Sequence, residues 1–454
     1  MKNSILWISD SRESAPVAWR IQQEGIQTHF FCHDVNYRDN YQGIMPMIGP
    51  NGLRSAVKKC DTIIHDITLA LSTKDKPKSF SRDMNLLRMF GVKPNAKAGV
   101  FGKLADKLSR DHKVIGSSSW TEHIELDRVA GFELAKRCGM GIPEYKEFNS
   151  LKAGVKFLQG SADKWVFKPL GNKDLDLTYP DTFKGELLDM LSYNLPDRFK
   201  TDSVNYILQK FVDGIEVSSE LWWNGDEFCN PNRTLEDKKL ASGNTGPATG
   251  SQSNTVWMCE NMDGPVFKQM QKLKPYLERS GYLGPIDANC IIDEVGKPWF
   301  LEWTPRFGWS ALYCFLSFVP DGQISSFFLN DFKAVFKGGF VASQLISLYP
   351  YPNVDKTQLD TWTKGNLINH PLNLSGMWWQ DVYQDDEGKL RVCGSDGIIG
   401  VYTHHADTLE DSITGLHKKI KKLQISGNLQ YRTEYDHLTR HEERYKKLKK
   451  VGAI

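Results

Sequence analysis

Along the first hundred or so residues, short apolar runs alternate with segments whose apolar positions recur at helical spacing. Residues 4–8 read as a buried strand, 9–14 as a turn and 15–24 as a helix, with further strands over 25–31 and 61–65. Strands alternating with helices predict a parallel sheet whose ligands lie at the strand C-termini. The polar turn Ser9-Asp-Ser-Arg-Glu-Ser14 then stands where an anion meets a helix N-terminus. It lacks GxGxxG, which argues against a dinucleotide.

The pattern then changes. The spacing predicts an amphipathic helix over 125–138, stopped by Gly139-Met-Gly-Ile-Pro143. A strand ending at Lys168, a polar loop through Pro180, a helix and a strand over 205–211 follow. Residues 217–223 and 227–228 read as a hairpin around Asn224-Gly225, and the Gly/Thr/Ser-rich stretch 240–255 as a loop. A helix over 266–280 precedes strands over 287–292 and 299–303. Beyond about residue 335 the chain is strand-rich, over 340–349, 375–383, 390–393 and 397–404. It closes with a helix over 408–423 and a charged tail, whose basic clusters at 417–422 and 444–450 read as solvated helix faces.

With 454 residues the chain is too long for one core, and about three domains of ~150 residues are expected. A net charge of +2 gives no electrostatic case for nucleic acid. Eight cysteines without CxxC spacing suit reduced thiols better than a disulfide framework or a zinc site. The start of the chain lacks the roughly 7–15 apolar residues of a signal peptide, and nothing approaches the ~20 of a membrane span. A soluble, cytoplasmic monomer or homodimer is therefore expected. The paired tryptophans Trp222-Trp223 and Trp378-Trp379 suit either a cleft wall or a core.

Three apolar runs end in charge. Lys164-Trp-Val-Phe-Lys168 ends in a lysine, Tyr206-Ile-Leu-Gln-Lys-Phe-Val-Asp-Gly-Ile-Glu216 in a glutamate, and Trp299-Phe-Leu-Glu302 in another. In this order they suit ATP held between two sheets, with Lys168 at the phosphates, Glu216 at the ribose and Glu302 at a metal.

These and further motifs resemble, in order along almost the whole chain, the phosphoribosylamine–glycine ligases of the ATP-grasp superfamily. The stretch from Ser9 to Arg20 resembles their first loop and helix, and Glu125-Leu-Asp-Arg128 a helix start. Gln209-Lys-Phe-Val-Asp-Gly-Ile-Glu-Val-Ser218 is similar to their hinge and ribose-binding strand. Asp237-Lys-Lys239 with Asn244-Thr-Gly-Pro-Ala-Thr-Gly250 resembles their substrate loop, and Glu302-Trp-Thr-Pro-Arg-Phe-Gly308 their metal motif. Gly397-Ile-Ile-Gly-Val-Tyr402, Asp407-Thr-Leu-Glu-Asp411 and Gly427-Asn-Leu-Gln-Tyr-Arg432 resemble their C-terminal signature. Departures mark a divergent member. Pro169-Leu-Gly-Asn-Lys-Asp-Leu-Asp176 replaces the glycine-rich phosphate loop, Thr304 a metal-binding Asn, and Trp309-Ser-Ala311 an acidic Asp-Pro-Glu.

The resemblance implies a multidomain α/β and α+β chain with the ATP-grasp fold. A Rossmann-like domain would span 1–112, an ATP-grasp domain 113–334 with a lid over about 164–213, and a β-rich mixed domain 335–454. It implies a ligase joining an amino acid, glycine first, to an amine through an acyl phosphate, using ATP and Mg²⁺ or Mn²⁺. Arg128, Lys168, Gln209, Lys210, Phe211, Val212 and Glu216 would hold ATP, and Glu302, Asn289 and Thr304 the metal. Arg306, Lys238 and Asp237 are the catalytic candidates, and Ser11, Arg12, Glu13, Thr245, Gly246 and Thr249 the substrate contacts. Two alternatives stay open: a ligase acting on another amine or carboxylate, as in nucleotide modification, and an ATP-binding protein without turnover.

Overall fold

A computed structural model describes residues 4–67, 72, 76–93, 99–170, 178–194 and 205–454. The expected parallel sheet is present, in the order Gln27–Cys32, Ser4–Ser9, Thr62–Asp66, Lys113–Gly116. Its last strand lies beyond the expected boundary at residue 112. The apolar runs are continuous because helices cover both faces, and Ile5, Leu6, Trp7 and Ile8 are all fully buried.

A small antiparallel sheet holds Tyr145–Phe148, Tyr206–Lys210, Trp165–Pro169 and Tyr179–Pro180. Most of the altered phosphate loop, residues 171–176, lies outside the described residues. The third and largest sheet has nine strands. Its core is Pro298–Thr304, Gly284–Ile292, Ile215–Trp223, Phe228–Ala241 and Thr245–Met258, each antiparallel to the next. Phe340–Leu348 pairs with Thr245–Met258, so strands on either side of residue 335 share one sheet.

Three local expectations change. The stretch 240–255 is mostly strand: Phe228–Ala241 and Thr245–Met258 form a long hairpin. Its small polar residues hid a strand because register here is fixed by pairing on both edges rather than by hydrophobic alternation. The helix over 125–138 is two helices, Ser119–Leu126 and Arg128–Arg137. Asp127 breaks it by accepting the Ala130 amide proton as an N-cap (3.1 Å). The charged tail is a 17-residue helix, Glu434–Lys450, and it is not wholly solvated. His437, His441 and Leu448 are fully buried.

The paired tryptophans belong to the core. Trp222, Trp223, Trp378 and Trp379 are at most 1% exposed, and Trp222 stacks on Phe315 with centroids 5.0 Å apart. The eight cysteines are free. No helix among the described residues is long and apolar enough to cross a membrane.

A row of histidines ties the C-terminal helix to the large sheet. His417 lies 3.4 Å from His437, whose ring meets that of His441 at 4.5 Å, and His441 Nε2 lies 3.1 Å from Asp237. Burial lowers all three imidazoles, His417 and His441 to about 4. The unfolded chain therefore binds more protons than the folded chain between about pH 6.5 and 4. Their contribution to stability is complete above about pH 6.5 and lost as pH falls toward 4. The thermal midpoint should drop between pH 7.5 and pH 5; a midpoint unchanged over that interval would contradict this reading.

Candidate active site

Alternation on four adjacent strands builds one polar face of the large sheet. Ser218 and Glu220 come from one strand, Thr234, Glu236 and Lys238 from the next, Asp287 and Asn289 from a third, and Glu302 and Thr304 from a fourth. Together with Arg306 and Trp309 they line a cavity of about 170 Å³. Asn289 stands opposite Glu302 in the ladder, and Asp287 opposite Thr304. Glu216 lies on the same strand as Ser218, which Gly214 allows to start close against Ile292; a Cβ there would collide with the Ile292 carbonyl.

Lys168 enters from the small sheet. It is 6% exposed, and burial followed by the charge of Arg128 lowers its ammonium to about 8, opposed by Glu302 and Glu216. Glu216 is held low chiefly by Lys238. Its Oε1 accepts from Lys238 Nζ and Asn289 Nδ2, both at 2.7 Å. Burial opposes ionisation of Glu302, yet Arg128, Lys238 and Lys168 outweigh it and bring that carboxyl down to about 2. Arg128 Nη1 donates to Glu302 at 3.2 Å from the first position of its helix, a consequence of the Asp127 break. Lys238 is raised, because Glu216, Glu236 and Glu302 overcome its burial.

Other expected residues are placed differently. Asp237 alternates to the opposite face from Glu236 and Lys238. Its carboxylate accepts from Arg440 Nε (3.0 Å), Arg444 Nη2 (2.7 Å) and Ser253 Oγ (3.1 Å), with no exposed side-chain surface. The structure therefore assigns Asp237 to the junction with the C-terminal helix and not to the cavity. Arg12 is engaged by Asp396 at 2.7 Å and is 3% exposed. Ser11 Oγ donates to Glu13 Oε2 at 3.2 Å, and Glu13, raised by burial, lies within the field of Arg306. Arg306 Nε donates to Glu125 at 2.8 Å, which joins the first loop's surroundings to the cavity. Thr245 and Gly246 are exposed at the hairpin tip, and Thr249 Oγ1 donates to the Lys238 carbonyl; Gly250, rather than these three, lines the cavity. In the hinge, the Lys210 and Phe211 amides already donate to the Glu144 and Lys164 carbonyls (2.7 and 2.9 Å). Gln209 is 2% exposed.

Sequence reasoning missed Glu220, Glu236 and Asp287. The signal was present: each lies two residues from a selected or cavity-lining position on the same strand, and period-two alternation puts them on the same face.

Glu302, Asn289 and Thr304 offer oxygen donors only, and Asn289 Oδ1 is buried without a hydrogen-bond partner. This fits a hard divalent cation that takes few protein oxygens and completes its shell with phosphate and water. Among the described residues no group of three or more His, Cys, Asp or Glu side chains is arranged for a metal.

No family model matches the chain. A phosphoribosylamine–glycine ligase of Helicobacter pylori is 25% identical over 207 residues, 43% of this chain and 46% of that protein. One of Streptococcus pneumoniae is 21% identical over 340 residues, 71% of this chain and 77% of that protein. The chain spans about half the length of the first curated relatives it matches, 46% and 58%. A phosphoribosylamine–glycine ligase from Thermotoga maritima superposes with a TM-score of 0.67 at 16% identity, over 95% of this chain and 99% of that one. Biotin carboxylase from Campylobacter jejuni gives 0.59 at 12% identity, over 97% and 95%. The chain thus has the ATP-grasp fold and is, in sequence, a divergent relative of the phosphoribosylamine–glycine ligases.

Proposed function

We propose that this chain is an ATP-dependent carboxylate–amine ligase that activates a carboxylate as an acyl phosphate and releases ADP. The observation that carries the reading is Lys168, buried on the small sheet yet within the field of Glu302 and Glu216 on the large one. A cation facing two carboxylates across two β layers is what a nucleotide triphosphate with its counter-ion requires.

A carboxylate does not condense with an amine in water because its oxygen is a poor leaving group. Phosphorylation makes it a good one, and the protein's task is mainly positioning and charge neutralisation. Lys168 and Arg128 supply positive charge for the phosphates. Oε1 of Glu216 is held by Lys238 and Asn289, which leaves Oε2 to accept from ribose hydroxyls. The engaged Lys210 and Phe211 amides leave Val212 and the segment's carbonyl groups for an adenine edge. A divalent cation held by Glu302, with Asn289 and Thr304, would neutralise charge on the phosphate oxygens. Arg306 would clamp the transferred phosphate or the carboxylate substrate through its fork of donors. The sequence resemblance favours glycine as the carboxylate.

Lys168→Ala should raise the dissociation constant for ATP about 10- to 100-fold, from the ~1.5–3 kcal/mol of a charge-assisted contact. Unchanged affinity, measured by calorimetry, would remove Lys168 from the site. The whole reading is tested by ADP release across a panel of carboxylates and amines, with products identified by mass. Measurable ATP binding with silence across the panel would favour an ATP-binding protein without turnover. Complementation of a purine auxotroph separates the glycine-ligase role from that of a relative with another acceptor.

A further inference from the structure

A second cavity, of about 790 Å³, shares no lining residue with the candidate active site. Its walls come from the helix Ala15–Gln23, the segment 316–324, the strand Ile398–Ala406 and the helix Leu409–Ile420. Three permanent cations line it, Arg20, Lys337 and Lys419, with two carboxylates, Glu24 and Asp321. Glu24 is already used: its oxygens accept from the Ile324 and Ser325 amides at 3.0 and 2.6 Å. Asp321 is exposed. None of the three cations forms an ion pair with these carboxylates or with any other described residue.

Arg20 is held in place rather than loose in solvent. Its guanidinium carbon lies 3.5 Å from the ring centre of the buried Trp378, and Nη2 donates to the Met377 carbonyl at 2.8 Å. Stacking fixes the plane of the fork and the single bond fixes its rotation, so the other donors are pre-aimed. Burial is the largest influence on Arg20 and lowers it to about 10, against the fields of Tyr41 and Asp321. Burial lowers Lys419 too. His404 lines the same cavity and packs there because residue 415 is glycine; a Cβ at that position would collide with its ring. A half-buried cation kept without an anion is unfavourable, and a bound anion relieves that cost.

We propose that this cavity is a second ligand site that takes a small organic phosphate, its phosphate held by the Arg20 fork and attracted by Lys337 and Lys419. A planar guanidinium suits two phosphate oxygens at once. With Glu24 spent on two amides, three cations face one carboxylate, an excess that matches the roughly −1.5 to −2 charge of a phosphomonoester. A simple carboxylate would leave part of that excess unmet. The volume is far larger than inorganic phosphate needs and falls within the ~300–1,000 Å³ of small-molecule sites. Trp19 and Leu374 on the same walls give the organic part an apolar surface. No bond is made or broken there, and the proposal does not depend on the ligase reading.

The test is calorimetry on the full chain with Mg²⁺ and a saturating non-hydrolysable ATP analogue, using AMP, adenosine and inorganic phosphate as probes. AMP should bind about tenfold or more tightly than adenosine, as a charge-assisted contact requires, and more weakly as salt is raised. Arg20→Gln and Lys419→Gln should each weaken AMP about tenfold and leave the analogue's affinity unchanged. Arg20→Lys, which keeps the charge and loses the fork, should restore only part of the loss. AMP no tighter than adenosine, AMP no tighter than inorganic phosphate, or variants that bind AMP like the wild type each overturn the proposal. So does dimerisation, followed by sedimentation, that Arg20→Gln abolishes, since the cleft would then be an interface between copies. Failure of the analogue to bind would count against the nucleotide cleft, while the Arg20 and Lys419 variants would still decide this site.

Discussion

Replacing Glu302 by glutamine should cut Mg²⁺-dependent ADP formation by about 10²–10³-fold, the scale on which removing one electrostatic contact to a transition state acts. The substitution is isosteric, so the strand pairing of Asn289 with Glu302 is retained. What changes is charge. Glu302 is the carboxylate on which Arg128, Lys238 and Lys168 converge. Without it the three cations are less well compensated, and Lys168, already lowered to about 8, should lose its proton more readily. ADP release titrated against Mg²⁺ and pH reads both effects, with the thermal midpoint as a control for folding. Turnover at the wild-type level would show that the metal is held elsewhere.

Asp237→Ala should be the most damaging single change to stability, about 3–5 kcal/mol, because it strips a buried anion from its cations. Burial disfavours the charged form, but His441, Arg444 and Arg432 hold the carboxyl well below the usual carboxylate range. A depressed acid contributes stability above its unfolded value of about 4 and loses it only as pH falls below that. At pH 7 the contribution is therefore complete, and urea titration there reads the loss. A change below about 1 kcal/mol would mean that the arginine cluster reorganises around water. The same variant should bind ATP normally, since Asp237 faces away from the cavity.

Much of the site was legible because strand alternation and charge are local. Lys168 and Glu302 each end an apolar run that is a strand, Trp165–Pro169 and Pro298–Thr304, and such a run fixes the face its last residue takes; Glu216 instead opens the strand after its run, Ile215–Trp223. Glu220, Glu236 and Asp287, two positions from Ser218, Lys238 and Asn289 on the same strands, obeyed the same rule but lacked a motif to draw notice. Asp237 was misplaced for the opposite reason: a motif resemblance outweighed alternation with Glu236 and Lys238. The helix Glu434–Lys450 escaped notice as an element of the charged tail because its buried face is mostly polar, Asp436, His437 and His441 beside Leu448. Hydrophobic periodicity cannot report a face that is held by ion pairs. The strand Thr245–Met258 escaped for a related reason, since its partners, far apart in sequence, decide its state.

The pairing of Thr245–Met258 with Phe340–Leu348 bears on how this chain can be dissected. A version stopped near residue 335 would bare the backbone donors and acceptors of residues 253–257 along an open sheet margin, inviting intermolecular strand addition. Such a truncation should precipitate rather than yield a smaller working unit. Limited proteolysis of the full chain should leave its last quarter attached after cleavage, like a brick mortared into the course beside it.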